Sequence, residues 1–254
     1  MPAWRRSILI PLLLFALGPA GPAGCRTGGP TGNLSTPTPA ASANTGVQIQ
    51  QRPVGGFDRV HVSGVGQLVV TPGAPDALSV EAEPEVLPHI RSEVQDGELE
   101  IGPAPGTSLS TRRPIVYQLT ASRLRGLRLS GAAGARAAGL RADDFTLDID
   151  GSGQASLTDL QISRLSITLS GAARATLTGT ATRQEITIIG IGRYQGEGLD
   201  SRQATVSLSG AGLCQLRVSD RLDVDLTGAG HVSYVGTPQV HENVIGAGLV
   251  ERTG

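Results

Sequence analysis

The chain has 254 residues with 21 basic and 22 acidic side chains, a formal net charge of −1 and only 3% aromatics. Without a basic block or a supply of rings for stacking, these values argue against nucleic acid as a partner. Two cysteines give no disulfide framework, and no stretch approaches the 18 apolar residues that a membrane-crossing helix needs.

Arg5 and Arg6 precede an apolar run from Ile8 to Leu17, followed by small residues and then Cys25. A charged segment, a short apolar core and a small-residue cleavage region describe a secretory signal peptide over 1–24. "PAGC" at 22–25 is similar to the bacterial lipoprotein cleavage box and places a lipid on Cys25. Pro22 stands where that box usually has Leu, so ordinary signal cleavage nearby is the alternative. Residues 25–54 then read as the lipidated cysteine and a tether of Gly, Pro, Ser, Thr, Ala and Asn, too poor in large apolar side chains to fold. A flexible tether of this length has a typical span of about 30 Å. Arg26 follows the cysteine where Asp would favour inner-membrane retention, so the expectation is export and anchoring in the outer membrane.

The folded domain is expected over 55–254. In "VHVSGVGQLVV", Val60 and Val62 precede Gly64 while Leu68 and Val70 follow it, which places a first coil or strand pair near Phe57. Residues 79–125 carry apolar positions (Val80, Leu87, Ile90, Val94, Leu99, Ile101) that suit strands or a short connecting helix. From 126 a repeat takes over. Gly131, Gly151, Gly171, Gly190, Gly210, Gly228 and Gly246 recur at intervals of 20, 20, 19, 20, 18 and 18 residues. Two positions before each glycine stand Leu129, Ile149, Leu169, Ile188, Leu208, Leu226 and Val244, and four before stand Leu127, Leu147, Ile167, Ile186, Val206 and Val224, with only Glu242 breaking the column. Polar residues fill the places between, so each stretch is a strand with one buried face. Four positions after the glycine an apolar or small series resumes: Ala135, Ala155, Ala175, Tyr194, Cys214, Val232 and Val250.

Each coil therefore reads as a strand, a glycine corner, a second strand and a looser return. A period near 20 means stacked coils that cannot bury their apolar faces alone. Leucine-rich repeats share the period, but the Asn or Cys that should follow their "LxLxx" phrase is absent. The expected fold is all-β: a right-handed parallel β-helix, or solenoid, with coils of about 18–20 residues. Glycine suits its corners because it accepts φ > 0 and lets successive backbones approach closely.

"FDRVHVSGVGQLVVTPG", then "LSVEAEPEVLPHIRSEVQDGELEIG", then the repeated "LSGAG"-like corners resemble the bacterial family called putative auto-transporter adhesin, head GIN domain. The resemblance covers roughly 55–250. It implies a β-helical fold and a secreted or envelope-anchored location, and it brings no catalytic residue with it.

The residues themselves offer few sites. Asp148 with Asp150, and Asp223 with Asp225, lie two apart on outward strand positions, about 7 Å apart along each strand. That spacing is compatible with a glycosidase acid/base pair, although a solvated face is the plainer reading. The two pairs stand four coils apart, about 19 Å, so they do not form one site. Asp143, Asp144, Asp148 and Asp150 could hold calcium. His61, His89, His231 and His241 lack metal-ligand spacing, and Cys214 lies in an inward column as a small buried hydrophobe. No nucleophile elbow, phosphate loop or Cys/His dyad is present, and the "GVG", "GIG" and "GAG" phrases lack the following helix of a nucleotide site.

The expected function is a non-enzymatic envelope lipoprotein without a cofactor. It is attached to the membrane by an N-terminal lipid and presents a solenoid surface to a polysaccharide or envelope protein. One alternative is a structural protein that self-associates through its solenoid ends, with Glu251 and Arg252 opposing that pairing. The other is a polysaccharide lyase or hydrolase acting at Asp148 and Asp150.

Overall fold

A computed structural model describes residues 46–254. The expected signal peptide, Cys25 and most of the tether lie outside the described residues. Strands β1 (Gln48–Arg52), β2 (Arg59–Pro72), β3 (Ala77–Ala82), β4 (Ile90–Gln95), β5 (Glu98–Pro103) and β6 (Val116–Ala121) come first. The regular coils follow as β7 (Gly126–Ala138), β8 (Arg141–Gly151), β9 (Gln154–Gly171), β10 (Arg174–Gly190), β11 (Arg193–Gly210) and β12 (Leu213–Gly228). β13 (His231–Val235), β14 (Gln239–Gly246) and β15 (Leu249–Arg252) complete the order. Together they form a β-solenoid of about six turns, with no α-helix among the described residues.

Successive coils pair in parallel and in register along each face, with shifts where the chain bends. Val60, Leu127, Leu147, Ile167, Ile186, Val206 and Val224 stack as one inward column, each at most 2% exposed. Complete burial of each such side chain contributes roughly 1.5–3 kcal/mol, and no single coil could supply it.

The return is not loose, contrary to expectation. β9 runs unbroken for 18 residues from one corner to the next. Its bends show instead as breaks in the alternation: the buried series is Ala155, Leu157, then Leu160, Ile162, then Leu165, Ile167, Leu169. Two consecutive outward residues at each break make a corner, so the coil has three sides. Asp159 (φ 53) and Gly179 (φ 123) supply the first bend in adjacent coils. The ladder shifts register at this bend and resumes beyond it, because its hydrogen bonds point to the neighbouring coils rather than along the strand.

Residues 79–125 form strands rather than a connecting helix, apart from one 3-10 turn at Leu87–His89. β5 pairs with β2 over Arg59–Val62 and with β4 in antiparallel fashion. β6 pairs with β2 over Gln67–Pro72, and β3 joins β6 antiparallel. The first coil is thus covered by two antiparallel sets, one on each of its sides. β1 then adds to β3 antiparallel, so order begins within the segment expected to be tether. Its residues are mostly exposed. An edge strand needs only backbone partners, and that is why composition missed it.

At the other end β14 pairs with β12 and β15 with β13. Every residue of β14 is exposed. Glu242 is tolerated in the otherwise apolar column because no described coil stacks over it.

Candidate functional surface

The seven corner glycines, joined by Gly64, make one continuous ladder from coil to coil. All eight have φ between 83 and 126, a region that favours glycine. A Cβ on Gly171 would sit 2.7 Å from the carbonyl oxygen of Gly151, and one on Gly210 only 2.4 Å from that of Gly190. Ala172 N donates to Gly151 O at 2.8 Å and Ile191 N to Gly171 O at 2.9 Å, so pairing continues through the corner. At the seven corner glycines the backbones of successive coils approach too closely for a Cβ.

The face of the solenoid before the corner carries the carboxylate pairs. Asp148 is half-buried and Asp150 exposed. In register they neighbour Arg128 with Thr168, and Ser130 with Ser170. Asp223 is engaged by Arg221, whose Nε and Nη2 donate at 2.7 and 2.9 Å. Those hydrogen bonds hold its carboxyl below the usual carboxylate range, the opposite of the upward shift that a general acid needs. Asp225 accepts from Asn243 at 3.2 Å. Asp148 lines a small pocket of about 300 Å³ with Arg59, Glu98, Arg128 and Thr146, and Asp150 is not part of that lining.

The calcium candidates separate. Asp144 is clamped by both guanidinium arms of Arg164, one of them Nη2 at 3.0 Å, and this lowers its pKa. Asp143 and Asp144 flank a corner, whereas Asp148 and Asp150 lie along the next face. Among the described residues no three His, Cys, Asp or Glu side chains gather as a metal-binding group. His61 contacts Ser130 Oγ at 2.9 Å and His231 contacts Glu251 at 2.9 Å. His241 pairs in register with Asp223, on a different face from His231, so those two histidines do not meet.

Cys214 is buried between Tyr194 and Val232, and burial pushes its thiol up. Sequence reasoning missed the buried polar pair beside it. Tyr194 Oη donates to Gln184 Oε1 at 2.6 Å, inside the core, while Gln184 Nε2 has no protein partner. The signal that could have found it is Gly196, which interrupts a column of leucines. A Cβ there would lie 2.4 Å from Tyr194 Oη, so the glycine makes room for the ring.

The model of the family putative auto-transporter adhesin, head GIN domain, matches residues 56–238. The chain belongs to that family. The head GIN domain has solved structural neighbours that share its fold. A crystal structure of a putative adhesin from Bacteroides fragilis aligns with TM-score 0.76 and 20% identity, covering 82% of this chain and 97% of that one. A putative adhesin from Parabacteroides merdae aligns with TM-score 0.67 at 20% identity, covering 83% and 98%. A structure described as a putative lipid binding protein from Parabacteroides distasonis aligns with TM-score 0.68 at 16% identity, covering 83% and 98%. No curated protein matches the chain in sequence.

Proposed function

We propose that this head GIN domain is the non-enzymatic binding part of an exported lipoprotein, anchored to the outer membrane through Cys25 and used in adhesion to a polysaccharide or envelope protein. The observation that carries the reading is the register itself. Outward residues recur in columns from coil to coil, as in Thr168, Thr187 and Ser207. A repetitive surface of small polar groups suits a repetitive or extended ligand, where many weak contacts add up. Membership of an adhesin family supports a surface or exported location.

The test is fractionation of the source bacterium with the chain intact or carrying Cys25→Ser, alongside labelled fatty-acid incorporation. The reading expects label and membrane retention only with Cys25, and expects loss of the chain to reduce attachment of cells to envelope material. Membrane retention without label, or attachment unchanged in the deletion strain, would contradict it.

A second reading, end-to-end self-association, is favoured by one observation. The outer edges of β14 and β15 are unpaired among the described residues, and Ile245 and Leu249 on them are 60% and 51% exposed. Open edges invite strand pairing. Light scattering across a concentration series, with Val250→Lys as the comparison, separates this reading from a monomeric binder.

A further inference from the structure

Some arginines of this chain meet carboxylates and others do not. All 21 basic residues are Arg, with no Lys. On the return side and at its corners, four arginines find carboxylates: Arg164 with Asp144, Arg202 with Asp220 at 2.9 Å, Arg217 with Asp200 at 3.4 Å and Arg221 with Asp223 at 2.7 Å, while Arg183 bonds the Gln203 amide oxygen. The face after the glycine corner differs. There Arg136, Arg174 and Arg193 are exposed and make no ion pair or side-chain hydrogen bond among the described residues.

Register places the three close together. Arg174 and Arg193 are direct partners on adjacent coils, roughly 4.8 Å apart in backbone. Arg136 occupies the neighbouring outward column, in line with Ser156 and Thr176. From Arg136 to Arg193 the group climbs three coil steps, about 14 Å along the solenoid. Like charges directly opposite in a ladder are destabilising, yet the outward columns from Gln67 to Gln215 contain no carboxylate to relieve them. Glu197 stands at the corner that ends this face and accepts from Gln215 at 3.3 Å. The rest of the face is amide and hydroxyl: Gln154, Ser156, Thr176 and Gln195.

We infer that this face, between Arg136 and Arg193, binds an acidic polysaccharide through its carboxylate or sulfate groups. The inference rests on the adhesion reading above and names the ligand class for it. Guanidinium matches a carboxylate or sulfate edge with two parallel N–H donors, which an ammonium cannot do. The amides and hydroxyls alongside suit sugar hydroxyls. A nucleic acid would want aromatic platforms, and these outward columns hold none. A lipid surface would want protruding apolar side chains. Within these columns Val69 and Leu213 are half-buried, but Ile189 and Ile191 stand exposed at the corner just before Arg193, so lipid vesicles serve as a competing probe.

The experiment measures retention of the full chain on immobilised polygalacturonate, with neutral dextran, single-stranded DNA and phosphatidylglycerol vesicles as parallel probes. One variant carries Arg136→Gln, Arg174→Gln and Arg193→Gln. A charge-matched control carries Arg164→Gln, Arg202→Gln and Arg221→Gln, and circular dichroism checks that both fold. Three exposed charge contacts, each worth about a factor of two to five, multiply to about 10- to 100-fold. The expected result is saturable, salt-sensitive retention on polygalacturonate, weakened by that factor in the first variant and by little in the control. Equal loss in both variants, tighter binding to DNA or vesicles, or no retention on polygalacturonate would overturn the inference. Equal retention on dextran would overturn it while leaving the adhesion reading standing. The adhesion reading itself fails separately, if the chain retains no envelope material of any kind.

Discussion

Replacing Gly171 with Ala should destabilise the solenoid well beyond the usual cost of alanine at a left-handed position, and Gly139 provides the comparison. Both have positive φ, 87 at Gly171 and 74 at Gly139. An L-residue in that conformation costs about 1 kcal/mol or somewhat more. At Gly139 nothing lies within 4 Å of an added Cβ, so that cost is the whole effect. At Gly171 the Cβ would also meet the Gly151 carbonyl oxygen at 2.7 Å, and that oxygen is backbone. Relieving the overlap must push two coils apart and stretch the 2.8 Å bond from Ala172 N to Gly151 O. Overpacking of this kind adds about 1–3 kcal/mol. The sum at Gly171 is about 3 kcal/mol. For a domain of this size each kcal/mol moves the midpoint by about 2–4 °C. Thermal unfolding followed by far-ultraviolet circular dichroism should therefore show a drop of about 3 °C for Gly139→Ala and about 9 °C for Gly171→Ala. Equal drops would refute the argument that close inter-coil approach, rather than dihedral freedom alone, selects glycine at the corner.

Tyr194→Phe leaves Gln184 Oε1 buried without its 2.6 Å donor, and should cost about 1–3 kcal/mol in urea unfolding. Adding Gln184→Leu should recover most of that, because no polar atom is then stranded; a double variant as unstable as the single one would contradict this. With Cys25→Ser in place so that Cys214 alone reports, the native chain should react with a thiol reagent at about pH 8 only as fast as it opens, and rapid labelling would show the thiol to be accessible. The Asp144–Arg164 and Asp223–Arg221 pairs hold both carboxyls below the usual range through hydrogen bonds from arginine. Their stabilisation is complete above the unfolded carboxylate value of about 4 and is lost as pH falls through the lowered values. Arg164→Gln should return Asp144 to an ordinary titration by NMR, with stability less sensitive to pH in that acid window.

Much of this architecture was legible because a β-solenoid writes its geometry into sequence at fixed intervals. The column from Leu127 to Val224 and the glycines from Gly131 to Gly246 each recur once per coil, and both occupy single stacked positions in the structure. Less legible were the features held by backbone pairing alone. β1 is mostly polar and exposed, so nothing in its composition distinguishes it from tether. The bends at Asp159 and Gly179 break the alternation by one residue, and that is easily taken for a loose loop. The candidate surface was harder still. Asp148 and Asp150 drew notice because paired carboxylates have a known chemistry, but Arg136, Arg174 and Arg193 lie 38 and 19 residues apart in sequence. Only the parallel register reveals that they share one face and that no carboxylate accompanies them.

The most direct test of the adhesion account is to incubate the full chain with polysaccharide isolated from the source bacterium's envelope, measure binding across a concentration series, and size the recovered glycan on the same samples. The account predicts saturable binding with the glycan length unchanged. Shortened glycan, with the shortening lost when Asp148 and Asp150 are changed to Asn, would contradict it and make the domain an enzyme.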